Sequence, residues 1–330
     1  LFFLISFLVL FFSYRDFLVN YRSMLLIDYF PYYRYQDHLI YLLTGDKSFA
    51  DDLPMNARFL GIYLQLFFYK FLPCIQITNI NLADQHELFE CTTFSLAILN
   101  YVCKYLFLII FFFYLKKKLK RDNVEAFVSL ILASIFVQYL ENFTLDRLTL
   151  LYVIIILYFL DKPKISNVII LLSFLVNEKV MMLLGPLFFI RYFIYKENFS
   201  NLIFSCLSVL LYFLMIFSLS RYFGYNFSSI YNESGFYRIL LNIFDKSHLS
   251  NSIIPIFFCL TPYIISILTK KKFNFQYSNF EILIPFLLWF LAYGGGENNI
   301  GRYVMHSIPL WVPIFSCQLI YFLRLDKLIK

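Results

Sequence analysis

The chain has 330 residues, 61% of them hydrophobic and 15% charged, with only nine Gly and ten Pro, and its mean hydropathy is +0.70. A water-soluble domain of this length has no way to bury so large an apolar fraction, so composition excludes one and predicts an all-α protein that uses the bilayer as solvent. The net charge of +7 does not point to nucleic acid, because Lys and Arg sit in short clusters between apolar runs instead of lining one solvated face.

The chain opens in the apolar stretch 1–12, with no basic region and small-residue cleavage site after it, which reads as a truncated first span rather than a signal peptide. A crossing helix needs ~20 mostly apolar residues. The runs 1–13, 92–115, 123–140, 147–160, 165–177, 180–195, 201–220, 251–269, 281–294 and 303–323 therefore predict about ten transmembrane helices in a single domain covering 1–330. The 43 Phe and 27 Tyr exceed what headgroup belts require, so no aromatic residue is singled out without a second reason.

An eleventh apolar run, 57–75, is ambiguous by hydropathy, and charge resolves it. Lys116, Lys117, Lys118, Lys120 and Arg121, then Lys162 and Lys164, Arg191 and Lys196, Lys270 to Lys272, and Arg324, Lys327 and Lys330 fall in every second loop of a ten-span chain with both termini cytoplasmic. Counting 57–75 as a span breaks this alternation. With Arg58, Gln65 and Lys70 inside it, the run suits a helix at the outer interface within a long non-cytoplasmic loop, 14–91. Under this topology the cytoplasmic loops hold 15 Lys/Arg and six Asp/Glu, against 12 and 15 outside, which concentrates acidic groups on the outer face.

The cysteines occur singly, and composition favours two unpaired thiols over a disulfide for Cys74 and Cys91, which flank a polar loop. The four His are too scattered for a metal set, and His306 in the last span reads as an interhelical hydrogen-bonding group.

Four outer segments carry the reactive side chains. The first loop holds Asp28, Asp37, His38 and Arg58; next come Asp146 and Arg147, then Asn177-Glu178-Lys179, and last Gly294-Gly295-Gly296-Glu297 through Arg302. Glu178 and Lys179 interrupt the apolar stretch 165–195, where a charge at mid-bilayer costs ~2.5–3.5 kcal/mol. Two short helices meeting at the outer surface avoid that cost, either as a plain hairpin or as a ligand-facing turn. Asp146 stands where an N-cap belongs, and capping alone explains it. Arg302 offers a fork for two phosphate oxygens, or else an anchor at headgroup level. No phosphate-loop, serine-hydrolase or zincin motif occurs. Carboxylates and arginines at a bilayer surface suit a general base acting beside a lipid-linked phosphate leaving group.

The order of these features resembles the polytopic glycosyltransferases of the C superfamily, which use polyprenyl-phosphate sugar donors at the outer face of the membrane. Gln36-Asp37-His38-Leu39-Ile40-Tyr41 is similar to that family's first-loop acidic motif, Met55-Asn56-Ala57-Arg58-Phe59-Leu60 to the start of its partly embedded helix, and Leu145-Asp146-Arg147 to the acidic start of a later span. Asn177-Glu178-Lys179 is similar to its charged break, and Arg302-Tyr303 with Pro309 to its late span.

The resemblance implies Asp37 as catalytic base with Asp28 in reserve, Arg58 and Arg302 as donor-phosphate contacts, and His38, Tyr41, Asp146, Arg147, Glu178, Lys179 and Glu297 lining the site. It fixes no cofactor. With no acidic pair at Asp37, a divalent cation is left open. The expected partners are the bilayer, a polyprenyl-phosphate sugar and a glycan, lipid or protein acceptor, in a bacterial inner membrane with the active face periplasmic. A repeat-unit polymerase and a transporter or flippase are the alternatives.

Overall fold

A computed structural model describes residues 58–72, 86–137, 145–223 and 304–322, together with Leu39, 41–45, Leu140 and single positions between 257 and 288. Every element among the described residues is a helix. In chain order these are α1 (Phe59–Phe71), α2 (His86–Lys117), α3 (Asn123–Phe136), α4 (Asp146–Phe159), α5 (Pro163–Leu171) with a 3-10 extension (Leu172–Leu175), α6 (Glu178–Tyr195), α7 (Phe199–Phe223) and α8 (Ile308–Phe322).

Among the described residues two helices are long and apolar enough to cross a membrane, Phe94–Lys117 within α2 and Phe199–Phe223. The apolar helices α1, α3, α5 with its extension, and α8 are shorter. At 13 residues, α1 is about 20 Å long, short of a ~30 Å hydrocarbon core. At 14 residues α3 is hardly longer, so length does not separate the run that charge demotes from those it keeps. The expected spans 1–13, 251–269 and 281–294 lie outside the described residues apart from single positions.

Helix ends follow local chemistry. The Asp122 side chain accepts from the Glu125 N–H at 2.7 Å and starts α3; Pro163 occupies the first turn of α5, where its missing N–H costs nothing. Lys196 closes α6 in the left-handed conformation (φ 56°). The core runs through the middle of the bundle, with α2 packed on α4 and α3, α3 on α8, and α7 against both α5 and α6. Small hydroxyl residues let helices approach closely. Ser129 bonds Ser316 between α3 and α8, Ser173 bonds Ser208 at 2.7 Å between the 3-10 turn and α7, and Phe136 meets Trp311 edge-on at 4.8 Å.

Contacts along α7 establish the path of the preceding pair. Ser200 donates to Asn167, Ser208 meets Ser173, and Tyr212 reaches Glu178. The chain therefore ascends α7 through α5 and reverses at Val176 and Asn177 before descending as α6. The described basic clusters gather at the other end of the bundle. Lys118 pairs with Asp161 across the α2 and α4 termini, Arg121 pairs with Glu125, and Arg191 lies 3.7 Å from Glu197.

Candidate functional site: a buried ion cluster

The reversal at Asn177 is where the apolar pattern breaks, and the structure gives it a different solution from the one expected. Val176, Asn177 and Lys179 are buried, so the turn does not escape the cost of its charges by reaching an open surface. It pairs them. Asn177 is extended, and its side chain accepts from the Lys179 N–H at 3.1 Å, capping α6. Glu178 and Lys179 then project from the first turn toward two different partners.

Lys179 Nζ donates to Asp146 Oδ1 at 2.9 Å, and both side chains are buried. Asp146 is the first residue inside α4 and Leu145 holds the N-cap position, which corrects the capping expectation. Its buried carboxylate answers an ammonium 33 residues away. His306, just before α8, brings Nε2 to 3.4 Å from the same oxygen. Arg147 is buried on α4, close to the Cys103 thiol of α2, and Lys104 is buried one residue farther along α2.

Glu178 meets Arg58. The Arg58 Nε donates to Glu178 Oε2 at 3.1 Å and its Nη2 donates to Oε1, a two-bond fork across 120 residues. Burial pulls the Arg58 guanidinium toward deprotonation, and the facing Glu178 carboxylate outweighs it, holding the cation above its ordinary value. Arg58 reaches this point because α1 comes close to the Leu145 side chain, just ahead of α4. A Cβ on Gly61 would run into the Leu145 side chain, so glycine is what permits the approach. Farther along, Gln65 Nε2 donates to the Thr92 carbonyl at 3.0 Å and fastens α1 to α2.

The cluster is recessed. From Tyr212, level with Glu178, α7 continues another 11 residues to Phe223, about 16 Å at 1.5 Å per residue. Tyr41 packs its ring on Phe223 at 5.7 Å, at that far tip, so the structure does not bring Tyr41 to the cluster. Asp28, Asp37, His38, Glu297 and Arg302 lie outside the described residues.

Of the expected site residues, Arg58, Asp146, Glu178 and Lys179 come together, with Arg147 next to Asp146. Two further members, His306 and Tyr212, were not expected there; Tyr212 donates to Glu178 Oε2 at 3.5 Å. His306 carried a weak signal as a histidine in an apolar span. Tyr212, one of 27 tyrosines, carried none.

Cys91 is disulfide-bonded, against the expectation of unpaired thiols. A cavity beside it, lined by Phe68, Tyr69, Leu72, Phe94 and Ser95, is separate from the ion cluster. No group of three or more His, Cys, Asp or Glu able to hold a metal occurs among the described residues.

No family model, no curated protein and no solved structure matches this chain.

Proposed function

We propose that the chain is a multi-pass membrane glycosyltransferase of about ten spans that takes a sugar from a polyprenyl-phosphate donor on the non-cytoplasmic face. The observation that carries this reading is the convergence of Arg58, Asp146, Glu178 and Lys179 from three distant segments, at the end of the bundle away from the basic clusters. Ionisable groups within an apolar bundle are costly, and function is the usual reason to keep them.

The Cys91 disulfide supports an oxidising compartment for that end. In this reading Asp37 is the base that takes the acceptor hydroxyl proton, with Asp28 in reserve; Arg58 and Arg302 neutralise the departing lipid phosphate, and Glu178, Lys179 and Asp146 line the site. The protein reconstituted in liposomes with a radiolabelled polyprenyl-phosphate sugar tests this. Asp37→Asn and Arg58→Ala are each expected to lower transfer at least about a hundredfold with insertion intact, and unchanged transfer in both would sink the assignment. Joining of lipid-linked repeat units is the same chemistry with a larger acceptor, and a deletion strain that keeps single repeats while losing polymer would select it.

One observation favours transport instead. The hairpin breaks at Asn177 inside the bundle and its charges are paired there, as in transporters with discontinuous helices. Accumulation of a lipid-linked sugar across sealed vesicles, without transfer, would establish that reading.

A further inference from the structure

The Arg58 fork is already filled. Two guanidinium nitrogens hold two carboxylate oxygens of Glu178, and this planar two-point geometry is the one arginine offers to two phosphate oxygens. The two partners are unequally covered: Arg58 is 2% exposed and Glu178 25%. The carboxylate therefore stands on the open side with the guanidinium behind it, and an anion arriving from that side meets Glu178 first.

Glu178 also has a second place to go. The Tyr212 hydroxyl lies 3.5 Å from Oε2, at the long limit of a hydrogen bond, so a small swing of the carboxylate toward α7 would shorten that bond while releasing Arg58. Glu178 is the first residue of α6 and follows an extended Asn177, so the swing unwinds no helix. Lys179 is tied separately to Asp146 and holds the backbone still while its neighbour moves.

We propose that Arg58 is a phosphate site kept closed by the chain's own Glu178, and that the phosphate of a prenyl lipid enters by displacing that carboxylate onto Tyr212. The proposal rests on the lipid-phosphate reading above and adds to it an internal competitor. A site open in only a tenth of molecules binds about tenfold more weakly than the open form would, so removing the competitor should strengthen binding. If the pair served only to hold Arg58 in position, losing Glu178 would weaken binding. The two predictions differ in sign.

The test uses the full chain in detergent micelles, with geranyl phosphate as probe and geraniol as uncharged control, read by calorimetric titration. Glu178→Gln is expected to lower the Kd for geranyl phosphate about tenfold, and Arg58→Lys, which keeps the charge and loses the fork, to raise it at least about tenfold in either background. An unchanged or higher Kd in Glu178→Gln, with Arg58→Lys still weakening binding, overturns the displacement and leaves the phosphate site standing. No effect of Arg58→Lys, or geraniol binding as tightly as its phosphate, overturns both. Should Glu178→Gln fail to fold, Tyr212→Phe decides. Loss of the receiving hydroxyl is expected to raise the Kd about threefold, and no change overturns the exchange.

Discussion

Lys179 and Asp146 face each other at 2.9 Å with almost no exposure to solvent, so each supplies the other's counter-charge. Removing one leaves a buried charge uncompensated, which costs ~3–5 kcal/mol where measured elsewhere, while replacing both by neutral groups costs far less. Lys179→Met is therefore expected to lower unfolding stability in detergent by that amount, and Asp146→Asn added to it to recover most of the loss. Additive losses in that double-mutant cycle would show that the two residues do not stabilise each other. These residues were legible in the sequence because a charge inside an apolar run stands out. Their pairing was not, since 33 residues of helix and turn separate them and periodicity carries no distance between segments. Tyr212 was invisible for the opposite reason, as one aromatic among many.

Among the elements, α1 is the one whose placement decides the site. Its buried edge, Gly61, Ile62 and Gln65, meets Leu145 and α2, while Tyr63, Phe67 and Phe71 on the other edge are exposed. Gly61→Val puts branched carbon atoms where Leu145 already sits and must push α1 outward, taking Arg58 with it. Transfer in liposomes is expected to fall at least about tenfold, since small displacements of a positioning group are costly; full activity would remove Arg58 from the mechanism. The Asn177 cap is a milder case. Asn177→Ala is expected to cost about 1 kcal/mol in thermal unfolding, with the α6 start frayed. Charge alternation singled out 57–75 as unlike its neighbours, and a break at Asn177 was readable from composition. The depth of that break was not, because a buried ion pair and an exposed turn interrupt hydropathy in the same way. Asp146 was misread by one position, with Leu145 at the cap, and one position is the difference between closing a helix and serving a partner.

For the whole molecule, the described basic groups at one end and the paired acids nearer the other give the bundle a polarity that topology must respect. A reporter fused after residue 80 is expected to report the oxidising side and one placed in the Lys162 to Lys164 loop the cytoplasm; a cytoplasmic signal from the first would overturn the orientation and the proposed donor site together. The packing of α3 on α8 has a consequence in time. Ser129 and Ser316 are 187 residues apart, so at ~5–20 residues per second of synthesis α3 waits roughly 10 to 40 s for the helix it packs on. His306 arrives with that same late segment. Throughout the interval Asp146 has Lys179 but not His306, and α3 presents Ser129 without its partner, which makes the arrival of α8 the step at which the packing of this pair succeeds or stalls.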